Sequence, residues 1–348
     1  MQGRIAALLI ALCAWPPLAT GQDQPPVLKL HVDTETPVSC IHLDSSVWRD
    51  YPARNDFYVR EAFDRYIAVS LKGLCRPALD IALVPSNPSF KSSDLHIVDL
   101  ADRERGGVIA TAVWNPDEHT QKPAVLVFND DGTFNKLVFI DAAFFPIHVA
   151  EFSSGRGYVV AGNCDDDRIF QALVTSEGKV LKPNVLETPV ETSTAQEKSG
   201  ASNQSTMQAG LIQLVSGDDD AVYLYNPSKG RKVFRIRSDG TSTAIDLATS
   251  AAPQGERALP LRVFISYSNL YLQEALVSES KSNAEVTALN RFLLSVYDRS
   301  TGALDHAYIN DGSFGGTPIS MAPHEFHFLK ANSLPNGTLS FSLIRAVP

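Results

Sequence analysis

A series of short apolar segments separated by tight turns lies between His148 and Leu186, in the order HVAEFSSGRGYVVAGNCDDDRIFQALVTSEGKVLKPNVL. Two of these segments, Tyr158–Ala161 and Ile169–Val174, are mainly apolar and are bounded by residues that favour turns. Runs of this length and composition are typical of β-strands. Strands this short do not stand alone in water, so we expect further strands and a second layer to bury them.

The same succession of segments recurs in three other parts of the chain, Ala124–Ile140, Leu211–Leu247 and Phe292–Ile309. Each of the four copies has a glycine in a turn, and these glycines lie 46, 62 and 62 residues apart: Gly132, Gly178, Gly240 and Gly302. Gly230 is an alternative to Gly240 as a turn marker.

Two polar insertions, residues 188–206 and 278–288, account for the longer intervals. Without them the spacing approaches the roughly 40–50 residues of a propeller blade. The repeat therefore predicts an all-β fold, a β-propeller of about five to seven blades. An open β-sandwich and a β-solenoid are the alternatives.

One turn carries a more specific pattern, Tyr297-Asp298-Arg299-Ser300-Thr301-Gly302. It resembles the D-x-x-T-G turn of quinoprotein-like and NHL-like blades in bacterial secreted propellers. The tryptophan that follows in quinoprotein blades is absent, and Tyr308 lies near its place. The resemblance extends over residues 95–344 and implies an architecture, which by itself does not define a function.

The N-terminus is typical of a secretory signal peptide, predicted here for residues 1–21. A basic residue, Arg4, precedes the apolar run Ile5–Ala14, and small residues follow at the expected cleavage position. The apolar run is too short to span a bilayer, and no later segment is apolar enough to do so. We therefore expect a secreted or periplasmic protein without membrane insertion.

Residues 22–90 are predicted to form an N-terminal strand and cap segment, and residues 91–348 the blades. Within the cap, Asn55–Leu71 has apolar residues on one side of a helical projection, and Gly73 follows as a C-cap, so we predict one helix there. Val27–Val32 is predicted to pair with Leu339–Ile344 and close the ring. The insertion at residues 188–206 lacks large apolar groups and is predicted to be flexible.

Three cysteines remain after removal of the signal peptide: Cys40, Cys75 and Cys164. Export permits a disulfide, and Cys40 with Cys75 is the preferred pair because both precede the clear repeats. Cys164 would then be the odd thiol. Because three aspartates follow it directly, they would raise its pKa and disfavour a nucleophilic role.

The chain has a formal net charge of −9. Nucleic-acid binding requires basic surfaces, so this charge argues against a nucleic-acid partner, and it also argues against anionic membranes. The composition does not indicate a cofactor, and we find no nucleophile elbow, phosphate-binding glycine loop or Cys-x-x-Cys motif.

Two kinds of site deserve consideration. The acidic turns Asp165, Asp166 and Asp167 and Asp218–Asp220 supply oxygen ligands for a hard cation, although neither matches the EF-hand spacing. His148 begins a predicted strand and His324 a second one, and both are candidates for the central channel.

The absence of a catalytic set favours a secreted binding or scaffold module for a protein, peptide or glycan. The alternative is a propeller-based hydrolase, lyase or oxidoreductase with its site in the central channel. Solvated turns and partly buried structural histidines also account for these residues.

Overall fold

The computed structural model describes residues 26–41, 47–51, 56–62, 65–164, 168–185, 212–250, 252–278, 291–335 and 339–348. The predicted signal peptide (1–21), the predicted flexible insertion (188–206) and the acidic run Asp165–Asp167 lie outside these residues.

Six antiparallel β-sheets follow one another along the chain, and two N-terminal strands, β1 (Val27–Lys29) and β2 (His31–Val38), join the last two of them. The first sheet, blade 1, contains β3 (Val47–Tyr51), β4 (Asp56–Ala62), β5 (Arg65–Ser70) and β6 (Cys75–Asp80). Blade 2 contains β7 (Leu95–Asp102), β8 (Val108–Asp117), β9 (Thr120–Phe128) and β10 (Phe134–Phe139). Blade 3 contains β11 (Phe145–Glu151), β12 (Gly157–Asn163), β13 (Ile169–Thr175) and β14 (Val180–Pro183).

The second half of the chain repeats this plan. Blade 4 contains β15 (Gln213–Ser216), β16 (Ala221–Tyr225), β17 (Lys232–Arg237) and β18 (Ser242–Asp246). Blade 5 contains β19 (Glu256–Ser266), β20 (Asn269–Ser278), β21 (Arg291–Asp298) and β22 (Leu304–Asp311). Blade 6 contains β23 (Thr317–Ala322), β24 (Glu325–Ser333) and β25 (Leu339–Val347).

The six sheets form a closed ring. The first strand of each blade contacts the first strand of the next, in the cyclic order β3, β7, β11, β15, β19 and β23. These six strands therefore surround a central channel. A separate apolar cluster fills each of the six spaces between neighbouring blades. The predicted all-β propeller is confirmed, with six blades.

The predicted helix at Asn55–Leu71 is wrong, because this stretch contains β4 and β5. In β4, Tyr58 packs in the cluster between blades 1 and 2, whereas its neighbours Phe57 and Val59 pack in the cluster between blades 1 and 6. Both faces of the sheet are covered, so successive residues are apolar and the alternation of a half-exposed strand disappears. The helices of the described chain are short 3-10 turns, and none is long and apolar enough to cross a membrane.

The turn glycines that defined the repeat occupy equivalent positions. Gly132, Gly178, Gly240 and Gly302 all have positive φ in the turn between the third and fourth strands of blades 2 to 5. Gly73, predicted as a helix C-cap, has the same place in blade 1. These turns also touch the preceding blade: a Cβ at Gly178 would lie 2.0 Å from the carbonyl oxygen of Phe139. Glycine is therefore required both for the turn and for blade packing.

The ring closes through the N-terminal segment, with a shift from the predicted register. Strand β2 is the outermost strand of blade 6 and pairs antiparallel with β25, from His31 opposite Val347 to Val38 opposite Phe341. Strand β1 instead pairs parallel with β22 of blade 5. Leu30 connects the two and is fully buried between blades 5 and 6, which fixes the crossing point.

The predicted Cys40–Cys75 disulfide is present, with 6.5 Å between the two Cα atoms. Cys40 follows the closing strand β2, and Cys75 begins β6 of blade 1. Closing a loop of 35 residues stabilises a fold by about 3–4 kcal/mol on the chain-entropy account. Cys164 packs against the apolar cluster between blades 2 and 3.

Candidate functional site

In several blades the strand that lines the channel has a β-bulge at a similar point. One extra residue interrupts the register with the second strand in blades 2, 3, 5 and 6, and the residue after it is polar in each case: Asp99, His148, Arg262 and Ser320. A bulge bends its strand and redirects a side chain. The bulges therefore place a ring of polar side chains at one level of the channel wall.

His148 pairs with Asp99 of the preceding blade, with 2.8 Å between Nδ1 and the carboxylate oxygen Oδ2. Both side chains are largely buried. A carboxylate that accepts from Nδ1 orients the imidazole and makes Nε2 the ring nitrogen that accepts a proton. The Thr111 hydroxyl, fully buried opposite Asp99, donates to the carbonyl of Ile147 at 3.4 Å.

Two other channel side chains bond to the backbone of the next blade. The Gln213 amide donates to the carbonyl of Leu261 at 3.4 Å and accepts from the N–H of Val263 at 2.8 Å. The Arg262 guanidinium donates to the carbonyl of Pro318 at 3.3 Å. These hydrogen bonds connect neighbouring blades along the channel wall.

His324 lies away from this ring. It is in the turn between β23 and β24, has φ of 63°, and its Nδ1 is 3.4 Å from the hydroxyl of Tyr308 in blade 5. The neighbouring His327 is buried on β24, and burial lowers its pKa. The structure therefore brings His148, but not His324, to the bulge level of the channel.

Each carboxylate of the second acidic turn has a protein donor, although Oδ1 of Asp219 is buried without a hydrogen-bond partner. Asp218 pairs with Arg299 at 2.5 Å, Asp219 pairs with Arg235 at 2.5 Å, and Asp220 accepts from the N–H of Ser154 at 2.8 Å. Its carboxylates connect blades 3, 4 and 5. Within the part of the chain that the structure describes, no cluster of three or more His, Cys, Asp or Glu side chains is arranged to hold a metal ion.

The turn that resembles quinoprotein blades has a local structural role. Asp298 Oδ1 accepts hydrogen bonds from the backbone N–H and the hydroxyl groups of Ser300 and Thr301, at 2.6 to 3.0 Å. These bonds, that of Ser300 above all, lower the pKa of Asp298 to about 2. Asp131 with Thr133 and Asp239 with Thr241 repeat the arrangement in blades 2 and 4.

A polar cluster lies buried between blades 4 and 5. The Glu274 carboxylate is fully buried, pairs with Arg231, and accepts from the hydroxyls of Ser250 at 2.6 Å and Ser295 at 2.8 Å. Burial next to this carboxylate raises the pKa of Tyr225. Each oxygen of Glu274 has a donor, whereas the hydroxyl of Tyr225 is buried without a hydrogen-bond partner.

Three aromatic rings form an aromatic platform on blade 2: Phe90, Trp114 and Phe139. The centroids of Trp114 and Phe139 are 5.6 Å apart in an edge-to-face arrangement, and Phe90 lies 6.1 Å from each. Lys122 Nζ lies 5.8 Å from the Trp114 centroid. The side chain of Phe139 remains 37% exposed. Phe145, the first residue of β11, lies at the same end of the propeller and is 43% exposed. The platform is therefore an apolar, partly exposed surface beside a cation.

A cleft of about 320 Å³ lies on blade 1, next to the turn of blade 2 that contains Gly132. Its walls are mainly apolar and include Ile67, Pro77 and Leu79. Its charged lining includes Glu61 and Arg65, whose side chains pair at 2.7 Å. The cleft offers apolar contact but few polar groups that would orient a ligand.

Sequence reasoning missed the polar ring and the aromatic platform. A signal for the ring exists, because a proline and an apolar residue precede the polar one in Pro146-Ile147-His148, Pro260-Leu261-Arg262 and Pro318-Ile319-Ser320. Proline is tolerated in a strand whose channel edge has no ladder partner. The platform has no such signal, because its three rings come from separate strand ends and a connection.

Comparison with known proteins finds only distant structural similarities. No protein-family model matches the chain, and no curated protein matches it. Among solved structures it is similar to a protein assigned as TolB from Agrobacterium tumefaciens, at 11% identity over 88% of this chain and 91% of that one, with a TM-score of 0.38.

Two further structures are a nidogen/laminin complex and a protein assigned as a 6-phosphogluconolactonase from Bacteroides uniformis. The first has 13% identity over 82% of this chain and 84% of that one, with a TM-score of 0.41. The second has 13% identity over 85% and 81%, with a TM-score of 0.35. Similarities this low carry no information on ligand or activity.

Proposed function

We propose that this propeller is an exported binding module that holds a protein, peptide or glycan ligand on the aromatic platform of blade 2. The observation that carries the proposal is the exposed ring of Phe139, held edge-to-face against Trp114 and backed by Phe90. Rings fixed in this way offer contact area without further ordering cost, which is why aromatic residues dominate binding surfaces.

The central channel also supports this proposal, because several of its polar side chains are already engaged by the protein itself. Several channel side chains are engaged in hydrogen bonds between blades, as Gln213 and Arg262 illustrate. A ring of blades connected by such hydrogen bonds is a rigid scaffold that presents loops and strand ends on its two faces. Export accords with the Cys40–Cys75 disulfide, because such bonds persist in oxidising compartments.

The test is a binding screen with the full mature chain on a glycan array and on a phage-displayed peptide library. Any ligand of the wild type is then measured against Phe139→Ser and Trp114→Ala. We expect each change to weaken binding at least about tenfold, as loss of a central aromatic contact does.

Leu181→Ser is the matched control, because Leu181 is 55% exposed on the outer strand of blade 3. It should bind as the wild type does. Equal affinity of Phe139→Ser and wild type for every ligand found would refute the platform as the binding surface.

A second candidate function, an enzyme with its site in the channel, is favoured by one observation, the 2.8 Å contact between His148 and Asp99. Such a pair orients an imidazole for proton transfer. The test is a screen for hydrolase, lyase and oxidoreductase activities, followed by His148→Gln in any that respond. His324→Gln is the control away from the channel ring. Activity retained in His148→Gln would dismiss this candidate.

A further inference from the structure

The disulfide lies at the seam of the ring. Cys40 ends the segment that follows β2, the outermost strand of blade 6, and Cys75 is the first residue of β6 in blade 1. The turn before Cys75 contains Gly73, which lies against the backbone of Pro37. The bond therefore joins the first and last blades at the place where they meet.

The N-terminal arm, defined as residues 26–40, is otherwise held by few buried side chains. Only Leu30 and Val38 within it are buried, and five successive residues at the start of β2 are exposed. The ion pairs of β2, Asp33–Arg345 at 2.6 Å and Glu35–Lys330 at 3.3 Å, are solvent-exposed and contribute little. One part-buried hydrogen bond, from the Ser342 hydroxyl to Glu35 at 2.6 Å, adds to them.

The arm also lacks the local connection that other outermost strands have. In blades 1 to 4 the outermost strand is the fourth one and follows the third through a short turn, so the two stay close when their pairing opens. Strand β2 pairs with β25, about 300 residues later in the chain. Without the disulfide, the return of β2 to its place beside β25 requires the closure of a very long loop.

We propose that the Cys40–Cys75 disulfide is a redox-sensitive latch, whose reduction releases the N-terminal arm from blade 6 while blades 2 to 4 keep their structure. Cys75 is exposed and Cys40 is half-buried, so a dithiol reductant attacks the Cys75 sulfur. The Cys40 thiolate leaves, and the second thiol of the reductant then displaces Cys75. The reductant becomes a disulfide, and its two protons pass to the two cysteines.

Release of β2 leaves the outer edge of β25 without a partner strand. An unpaired edge exposes a row of backbone N–H and carbonyl groups that exchange with solvent. The redox state of one bond would thus decide whether blade 6 has three strands or four.

The test is hydrogen exchange of the full mature chain with and without dithiothreitol, with alkylation to verify reduction. We expect the amides of β2 and β25 to exchange at least about tenfold faster in the reduced protein, and those of β12 and β16 to be unchanged, as local opening requires. Unchanged protection of β2 after complete reduction would overturn the proposal. Equal loss of protection in all blades would also overturn it.

Two variants complete the experiment. The double change Cys40→Ser and Cys75→Ser should exchange like the reduced wild type and should not respond to dithiothreitol. Cys164→Ser should behave as the wild type in both states. If the double variant does not fold, the proposal is decided by stepwise reduction of the wild type, in which β2 must lose protection before β12.

Discussion

The side chain of Gln213 in blade 4 accepts a hydrogen bond from the backbone N–H of Val263 in blade 5, at 2.8 Å. Its amide nitrogen donates to the carbonyl of Leu261, two residues earlier on the same strand. The channel edge of β19 has no neighbouring strand, so the Gln213 amide takes the place that a backbone amide has in a ladder. Single side chains therefore connect the innermost strands of adjacent blades.

Replacement of Gln213 by leucine should destabilise the ring. The change keeps the approximate size but leaves the Leu261 carbonyl and the Val263 N–H without their partner, which costs about 1–3 kcal/mol. Urea unfolding should show the loss as a lower midpoint. Gln171→Leu, at a half-buried position on β13, is the control and should change the midpoint much less. Equal urea midpoints for the two variants would show that the hydrogen bonds of the Gln213 side chain do not stabilise the protein.

Removing one member of the buried pair of Arg231 and Glu274 should destabilise the protein more than removing both. Arg231→Met leaves a fully buried carboxylate without its cation and should cost roughly 3–5 kcal/mol in chemical unfolding. Adding Glu274→Met should recover a large part of that loss. Lys232→Met, which removes the exposed pair with Asp246, should cost at most about 1 kcal/mol. A double variant no more stable than Arg231→Met would contradict the expectation.

The blade-packing turns can be tested with two glycines. Gly178→Ala introduces a Cβ that would lie 2.0 Å from the carbonyl of Phe139, in addition to a strained φ of +94°. Gly230→Ala has a similar φ of +81° but nothing within 4 Å of the new atom. We expect roughly 1–3 kcal/mol of destabilisation from the conformation alone in Gly230→Ala, whose ψ is −142°, and clearly more in Gly178→Ala. Similar melting temperatures would mean that the packing contact adjusts without cost.

The Asp298 turn should contribute stability that depends on pH. Its pKa is lowered from 3.8 to about 2 in the folded state, so the contribution is complete above about pH 4 and disappears as the pH falls towards 2. Asp298→Ala should therefore melt below the wild type at pH 7 and approach it near pH 2. Glu118→Ala, at an exposed position, is the control. A melting difference that stays constant from pH 7 to pH 2 would contradict this assignment.

The sequence predicts blades 2 to 5 well because each of them needs the same turn between its third and fourth strands. Gly178 and Gly302 must adopt positive φ between strands of one sheet, a local requirement that leaves a local pattern. The helix predicted at Asn55–Leu71 fails for the opposite reason. Strands β4 and β5 are buried on both faces, so their apolar runs also match one side of a helix.

The polar ring and the ring closure depend on contacts between distant residues. His148 and Asp99 are 49 residues apart and meet only because consecutive bulges face the same channel. The closing strand was predicted a few residues too early because Val32 and Leu30 both suit a strand, and only the burial of Leu30 between blades 5 and 6 fixes the crossing. The ring closure leaves no recurring pattern in the chain, and the polar ring leaves only the short proline-containing segments of blades 3, 5 and 6.

The pairing of β2 with β25 has a consequence for biosynthesis. A ribosome makes residues 31–38 long before residues 339–347. The closing strand β2 therefore has no partner strand until β25 has been made. Blades 2 to 4 consist of consecutive strands and are able to form one after another as they emerge. The ring can therefore close only after β25 has been made, and a chain that stops before Leu339 keeps β2 without its partner strand.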